Sequence, residues 1–439
     1  MTKSIEDIKK LVEPQRIHGS LYTDPELFDL EMERIFERTW IFLGHESQVK
    51  EAGDYLTVNI GRRPVIMVRD RSGDIIVLHN QCTHRGAKVA GKKCGNARAF
   101  RCCYHGWTFK TDGTLIGVPH KAGYEDTNFD IKDPAFSLKV VRSESYRGFI
   151  FANLSKDGPG LKEFLGDAAT SIDNMIERSP DGELEMTGGV LRYRHNCNWK
   201  LFIDNLNDTM HPMVTHQSVG DACQAYVDEL PEGTPMTREA DIISPFGSSY
   251  DMFDEMGVSV GPYGHAYTGG EQSIHSSYQD IPGYLEGMHK TYGEEKTKAI
   301  LSINRHNTVY YPSLTIKGAI QSIRIVRPIS INETEVETWT FRLKGAPDEM
   351  LHRTMLYSRL INSPSSMVGS DDLEAYTRLQ EGLKSGGSEW VNMGRFIGRE
   401  EHKDGNMTRA IGTSDISLRN QYATWLDYMT NPKKQEEEV

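Results

Sequence analysis

At 439 residues, with 38% hydrophobic and 26% charged side chains, the chain is long enough for two or three domains and has the composition of a globular protein, not a disordered one. Its net charge of −12 disfavours nucleic acid or an anionic membrane surface as the main partner. No apolar run approaches the roughly 18 residues of a transmembrane helix, and the opening "MTKSIEDIKKLVEPQ" lacks the apolar stretch of a secretion signal. Six cysteines (82, 94, 102, 103, 197 and 223) are too few for a disulfide scaffold, so a reducing, cytoplasmic setting is expected. The closing "KKQEEEV" reads as a frayed tail.

A helical N-terminal segment leads into a run of strand-like patterns. "DYLTVNI", "RPVIMVRD", "IIVLHNQC" and "AFRCCYHGWTF" alternate or run apolar over strand lengths, with "RSGD" and "KTDG" as turns. Two short motifs lie inside this β region. Cys82 and His84 form C-x-H; after seventeen residues, Cys102 and His105 form C-x-x-H. Two loops, each offering one thiolate and one imidazole, meet the needs of a Rieske [2Fe–2S] centre, in which two cysteines hold one iron and two histidines the other. Gly86 and Gly106 allow each loop to turn tightly. A zinc site would pair its cysteines and its histidines differently. A disulfide is disfavoured because the extra cysteines of respiratory Rieske proteins are replaced here by Ala87 and Tyr104. Spacing makes Cys102 the ligand and leaves Cys103 a bystander; Cys94, Cys197 and Cys223 read as inert. Gly106 and Trp107 follow His105 where respiratory relatives carry a hydroxyl donor, which suggests a potential low in the Rieske range.

Further along, "NWKLFIDNLNDTMHPMVTH" places Asn205, Asp208, His211 and His216 in an N-x-x-D-x-x-H-x-x-x-x-H array. On one unbroken helix the two histidines would point about 140° apart, so a break is expected at His211, before Pro212. Two histidines and a carboxylate make the facial triad of a non-haem Fe(II) oxygenase. Asp371 and Asp372, in "NSPSSMVGSDDLEAY", are the candidates for the third ligand; Asp208 suits a role behind His211.

Together the two constellations, with "TWIFLGHESQV", "NWK", "SIRIVRP" and "VETWTF", resemble the large (α) subunit of the Rieske non-haem iron ring-hydroxylating oxygenases over nearly the whole chain. The resemblance implies that Cys82, His84, Cys102 and His105 bind the cluster and that His211, His216 and Asp372, the second of the two aspartates, bind a mononuclear iron. It implies that Asp208 links His211 to the His105 equivalent of a neighbouring subunit, that Asn205 lies behind the iron, and that the chain forms a homotrimer, with or without a small β subunit (α3β3). It also implies electrons from NAD(P)H through a reductase, with or without a ferredoxin, and an aromatic substrate with O2.

Within that frame, Asn362, Met367 and Val368 stand where relatives acting on fused rings carry bulky aromatics, so a more polar pocket is expected. Arg327, after "SIR", is a candidate partner for a substrate carboxylate, set against a purely structural role. His265 and His275 fall in a Gly-rich stretch that reads as a loop. The expected fold is α+β: residues 1–44 as a helical segment on the catalytic domain, 45–155 as an all-β Rieske domain, and 156–439 as an antiparallel sheet covered by helices, closed by the amphipathic "TSDISLRNQYATWLDYM". The expected activity is cis-dihydroxylation of an aromatic acid or similar small aromatic. The alternatives are monohydroxylation or oxidative demethylation and, in other classes, a Rieske electron carrier or a zinc hydrolase.

Overall fold

The computed structural model describes residues 3–270, 281–402 and 406–431, which fall into two compact units. One comprises residues 32–161 and the other residues 3–31 with 162–431, so 32–44, expected to lie with the N-terminal segment, cluster instead with the β unit. The reason is strand pairing: Ile41–His45 forms the edge of a sheet with Phe149–Asn153 and Arg142–Tyr146.

The β unit contains two further antiparallel sheets. Ile75–His79, Arg63–Arg69, Asp54–Ile60 and Cys94–Asn96 pair in that order, and Leu115–Gly117, Thr108–Phe109 and Phe100–Arg101 make a smaller one. The run "AFRCCYHGWTF" is therefore two short strands separated by a loop, not one strand. A shared core of Tyr55, Ile66, Val68, Leu78, Phe100, Trp107, Phe109 and Leu115 packs against Cys82 and Cys102.

The larger unit is built on a nine-stranded antiparallel sheet that runs from Leu184–His195 through Glu333–Leu343, Ser322–Ser330, Leu314–Lys317 and Asn304–Tyr310 to the short strands near the C-terminus. Helices Trp199–Asn207, Met367–Lys384 and Ile416–Thr430 carry or support the residues singled out in the sequence. The architecture is the expected α+β arrangement. Among the described residues no helix is long and apolar enough to cross a membrane.

Helix Trp199–Asn207 is fixed by buried polar contacts on one side. Glu31, fully buried, accepts from Lys200 Nζ at 2.6 Å, Trp199 Nε1 at 2.8 Å and Trp425 Nε1 at 2.7 Å. One turn on, Asp204 accepts from Tyr22, Gln421 and Tyr422. Burial pushes the Asp204 carboxyl up to about 6. Three segments distant in sequence thus meet on one helix. Removing one member of a buried pair strands the other charge, which typically costs about 3–5 kcal/mol. Lys200→Met is expected to lower the unfolding free energy in urea by that order, and the double variant Glu31→Gln/Lys200→Met to recover part of the loss.

Candidate metal centres

The two loops of the β unit are near copies. The Cys82 carbonyl accepts from Gly86 N–H at 2.8 Å while the Cys82 N–H donates to the Ala87 carbonyl at 2.8 Å; Cys102 repeats this with Gly106 at 3.1 Å and Trp107 at 2.8 Å. The tight turn requires Gly86 (φ 78°) and Gly106 (φ 72°), a region that disfavours a Cβ. Cys82 and Cys102 are both buried, and burial together with the neighbouring Cys102 raises the Cys82 thiol. The His84 and His105 rings lie 4.6 Å apart at 77°, and Trp107 stacks on His84 at 4.8 Å. His84 Nδ1 is buried with no hydrogen-bond partner. A buried, unpartnered imidazole nitrogen beside two buried sulfurs is a donor set that lacks its acceptor, and it fits a [2Fe–2S] cluster. All six cysteines are free thiols; Cys103 is exposed beside Cys102, and burial pushes the Cys197 thiol up to about 12.

In the larger unit, His211, His216 and Asp372 present ligand atoms within 4.8 Å of one another; among the described residues this is the one such group. Asp372 Oδ1 lies 3.4 Å from His216 Nε2 and 3.9 Å from His211 Nε2. Asp371 is on the far side of the imidazole, with Oδ2 3.2 Å from His216 Nδ1. Asp208 has the same relation to His211, Oδ2 to Nδ1 at 3.5 Å, too long for a well-formed hydrogen bond. Each histidine therefore has its Nε2 turned inward and a carboxylate behind its Nδ1, and the hydrogen bond to Asp371 sets the tautomer and orientation of the His216 ring. Asn205 Nδ2 reaches Asp372 Oδ1 at 3.0 Å and His211 Nε2 at 3.1 Å.

The electrostatics favour a cation here. Burial opposes charge on Asp372, but the His216 hydrogen bond and the two imidazoles hold its carboxyl below the ordinary value. Burial likewise opposes charge on His216, yet Asp372 and Asp371 lift it above its ordinary value. The same field that holds a proton would hold a metal ion in its place.

The chain break between the histidines differs from expectation. His211 is helical (φ −63°, ψ −32°); the helix ends earlier, at Asp208 (φ −105°, ψ 126°). Pro212 opens the four-residue helix that follows, where its missing N–H costs nothing. His216, at φ −106° and ψ 19°, makes the second corner.

The triad opens onto a cavity of about 600 Å³, solvent at its mouth included, with Asn205, Asp208, Phe246, Phe253, Asn307, Lys317, Arg324, Tyr357, Ile361 and Val368 in its wall. Of the four residues expected to line it, Val368 does. Met367 is half exposed, and Asn362, buried with both amide atoms unpartnered, is not part of the wall. Arg327 is also elsewhere, bonded to Glu337 at 3.2 Å. It stands three residues from Arg324 on one strand, and an odd offset turns a side chain to the opposite face. His265 is not a loop residue over the cavity: it is buried, with Nε2–H donated to the Phe164 carbonyl and Nδ1 accepting from Tyr311 N–H. His275 lies outside the described residues. Lys317 and Arg324 were not among the expected residues; for Arg324 the two-residue alternation of "SIRIVRP" carried the signal.

The family descriptions that match are the Rieske [2Fe-2S] domain, over residues 39–135, and the ring hydroxylating alpha subunit (catalytic domain), over residues 182–411. The chain belongs to the ring-hydroxylating dioxygenase alpha-subunit family. Toluate 1,2-dioxygenase subunit alpha of Pseudomonas putida is 33% identical, covering 90% of this chain and 86% of that protein. The 2-halobenzoate 1,2-dioxygenase large subunit of Burkholderia cepacia is also 33% identical, covering 87% and 80%. Naphthalene 1,2-dioxygenase with indole bound shares the fold, with a TM-score of 0.80 over 98% of this chain and 94% of that one at 24% identity. A quaternary ammonium Rieske monooxygenase shares it at a TM-score of 0.68 and 18% identity, over 98% and 99%. The protein is thus the terminal oxygenase subunit of an aromatic ring-hydroxylating dioxygenase, with a Rieske cluster and a non-haem iron as cofactors. The family works on aromatic substrates with electrons delivered by a reductase or ferredoxin.

If Asp372 is a ligand and Asp371 only braces His216, the two adjacent aspartates differ sharply in effect. Asp372→Ala is expected to abolish mononuclear iron binding, and Asp371→Asn to leave a loadable site with affinity reduced about 10–100-fold, as followed by iron titration of chelator-treated protein.

Proposed function

We propose that this subunit carries out cis-dihydroxylation of an aromatic acid or similar small aromatic, with Cys82, His84, Cys102 and His105 holding the cluster and His211, His216 and Asp372 the iron. The observation that carries this reading is the inward-facing triad at the wall of a cavity that also offers apolar side chains to a small molecule. When bound, the cluster supplies single electrons and the iron, through its open positions, activates O2. The chain's own residues do the rest. Phe246, Phe253, Ile361 and Val368 offer apolar surface to a ring and exclude water from it. Asp371 accepts from His216 Nδ1–H and so keeps its Nε2 an inward-facing acceptor, Asp208 lies behind His211, and Asn205 steadies the Asp372 carboxylate.

Electrons enter from NAD(P)H through a reductase, with or without a ferredoxin. They pass between protomers of a homotrimer, in which Asp208 of one joins its own His211 to His105 of the neighbour; a small β subunit would complete an α3β3 assembly. In keeping with this, the Asp208 side chain keeps 30% of its surface exposed in the single chain, and His105 is also only partly covered.

With 18O2, a cis-dihydrodiol carries two labelled oxygens from one molecule, whereas monohydroxylation or demethylation yields at most one; a singly labelled product would refute the dioxygenase outcome. Asp208→Ala is expected to retain about three irons per chain and a reducible cluster while product formation falls at least about a hundredfold. Normal turnover by that variant would remove the relay.

A further inference from the structure

The cavity wall contains two basic side chains and no carboxylate free to pair with either. Arg324 and Lys317 both line it, and its two acids, Asp372 and Asp208, are engaged with the histidines. Neither makes an ion pair among the described residues: Lys317 Nζ donates to the Tyr357 hydroxyl at 2.9 Å, and Arg324 Nη2 reaches Asn307 Oδ1 at 3.5 Å. The sheet register explains the pairing of the two. Arg324 stands opposite Thr315 on the neighbouring strand, and Lys317 is two residues beyond Thr315, so both side chains leave the same face, diagonally adjacent. Arg324 packs its guanidinium 5.3 Å from the Phe202 ring, and Lys317 is only 6% exposed.

A guanidinium stays charged at any ordinary pH, and the partly buried Arg324 has no carboxylate paired with it. Lys317 donates hydrogen bonds whether charged or neutral. Elsewhere in the same wall, Phe246, Phe253 and Val368 offer apolar surface suited to a ring.

We propose that Arg324, assisted by Lys317, binds an anionic carboxylate on the aromatic substrate and so fixes which ring edge faces the triad. This rests on the reading of the cavity as the ring-oxidation site, and it places the anionic-group anchor at Arg324, not at Arg327. Arg324 is a specificity-determining residue: its charge selects carboxylates over neutral rings of the same shape.

The test uses the metal-loaded oxygenase and three probe pairs of near-equal shape: benzoate, salicylate and 2-naphthoate, each against its neutral carboxamide. Dissociation constants are measured by calorimetry, without turnover. The wild type is expected to favour the carboxylate by at least about tenfold in one or more pairs. Arg324→Gln is expected to erase that preference, Arg324→Lys to keep much of it, and Arg327→Gln to leave it unchanged. Iron content and the Rieske spectrum confirm that each variant is folded. A wild-type preference below threefold (about 0.65 kcal/mol from RT) in every pair, no binding of any probe, or a preference that survives in Arg324→Gln overturns the proposal. Products of turnover separate the two readings. A dihydrodiol formed only from neutral probes sinks the anchor and spares the dioxygenase; a singly oxygenated acid whose binding depends on Arg324 does the reverse.

Discussion

The iron site depends on one rigid relation, the register of helix Trp199–Asn207 against helix Met367–Lys384. The histidines follow the first helix and Asp372 lies on the second, more than 150 positions later, yet their ligand atoms must fall within 4.8 Å of one another. Buried Gln380 ties the two: its Oε1 accepts from the Asn198 N–H that opens the first helix at 2.8 Å, while its amide nitrogen donates to Tyr22 O and Asn332 Oδ1. Together with Glu31–Lys200 and the Asp204 cluster, this locks the first helix from behind and leaves Asn205 to face the metal position. Buried polar networks of this kind gain little net stability. Their value is positional, because an error of about one ångström in a ligand is enough to spoil a metal site.

The two centres follow opposite strategies. The cluster loops are local: each supplies its cysteine and histidine within four residues, and each closes on itself through the same pair of backbone hydrogen bonds. The triad is global, gathered from segments that only the tertiary fold unites. That contrast decides how much of each could be read from sequence. The proposed cluster ligands and their glycines stand out in the sequence because the chemistry they would serve is written in spacing. His211, His216 and the double aspartate were legible as residue types, but spacing could not say which aspartate faced the iron. The structure separates them by face: Asp372 lies toward both Nε2 atoms and Asp371 toward an Nδ1.

The misplacements have equally physical origins. Arg324 and Arg327 look interchangeable in "SIRIVRP", yet the two-residue period of a strand puts one in the cavity and the other in a pair with Glu337. Pro212 was expected to break the chain at His211. It instead begins a helical turn, and the break falls at Asp208, freeing the carboxylate that braces His211. Residues 32–44 carry helical and strand segments with no sequence mark for which unit they join; pairing of Ile41–His45 with Phe149–Asn153 decides it.

In the proposed site the iron is held by the inward nitrogens of both histidines and by the second aspartate alone. Anomalous diffraction at the iron edge from crystals of the loaded oxygenase tests this most directly. The expected result is a single mononuclear iron peak about 2.0–2.3 Å from His211 Nε2, His216 Nε2 and Asp372. A peak coordinated by Asp371, by either Nδ1, or displaced towards Asp208 would contradict it.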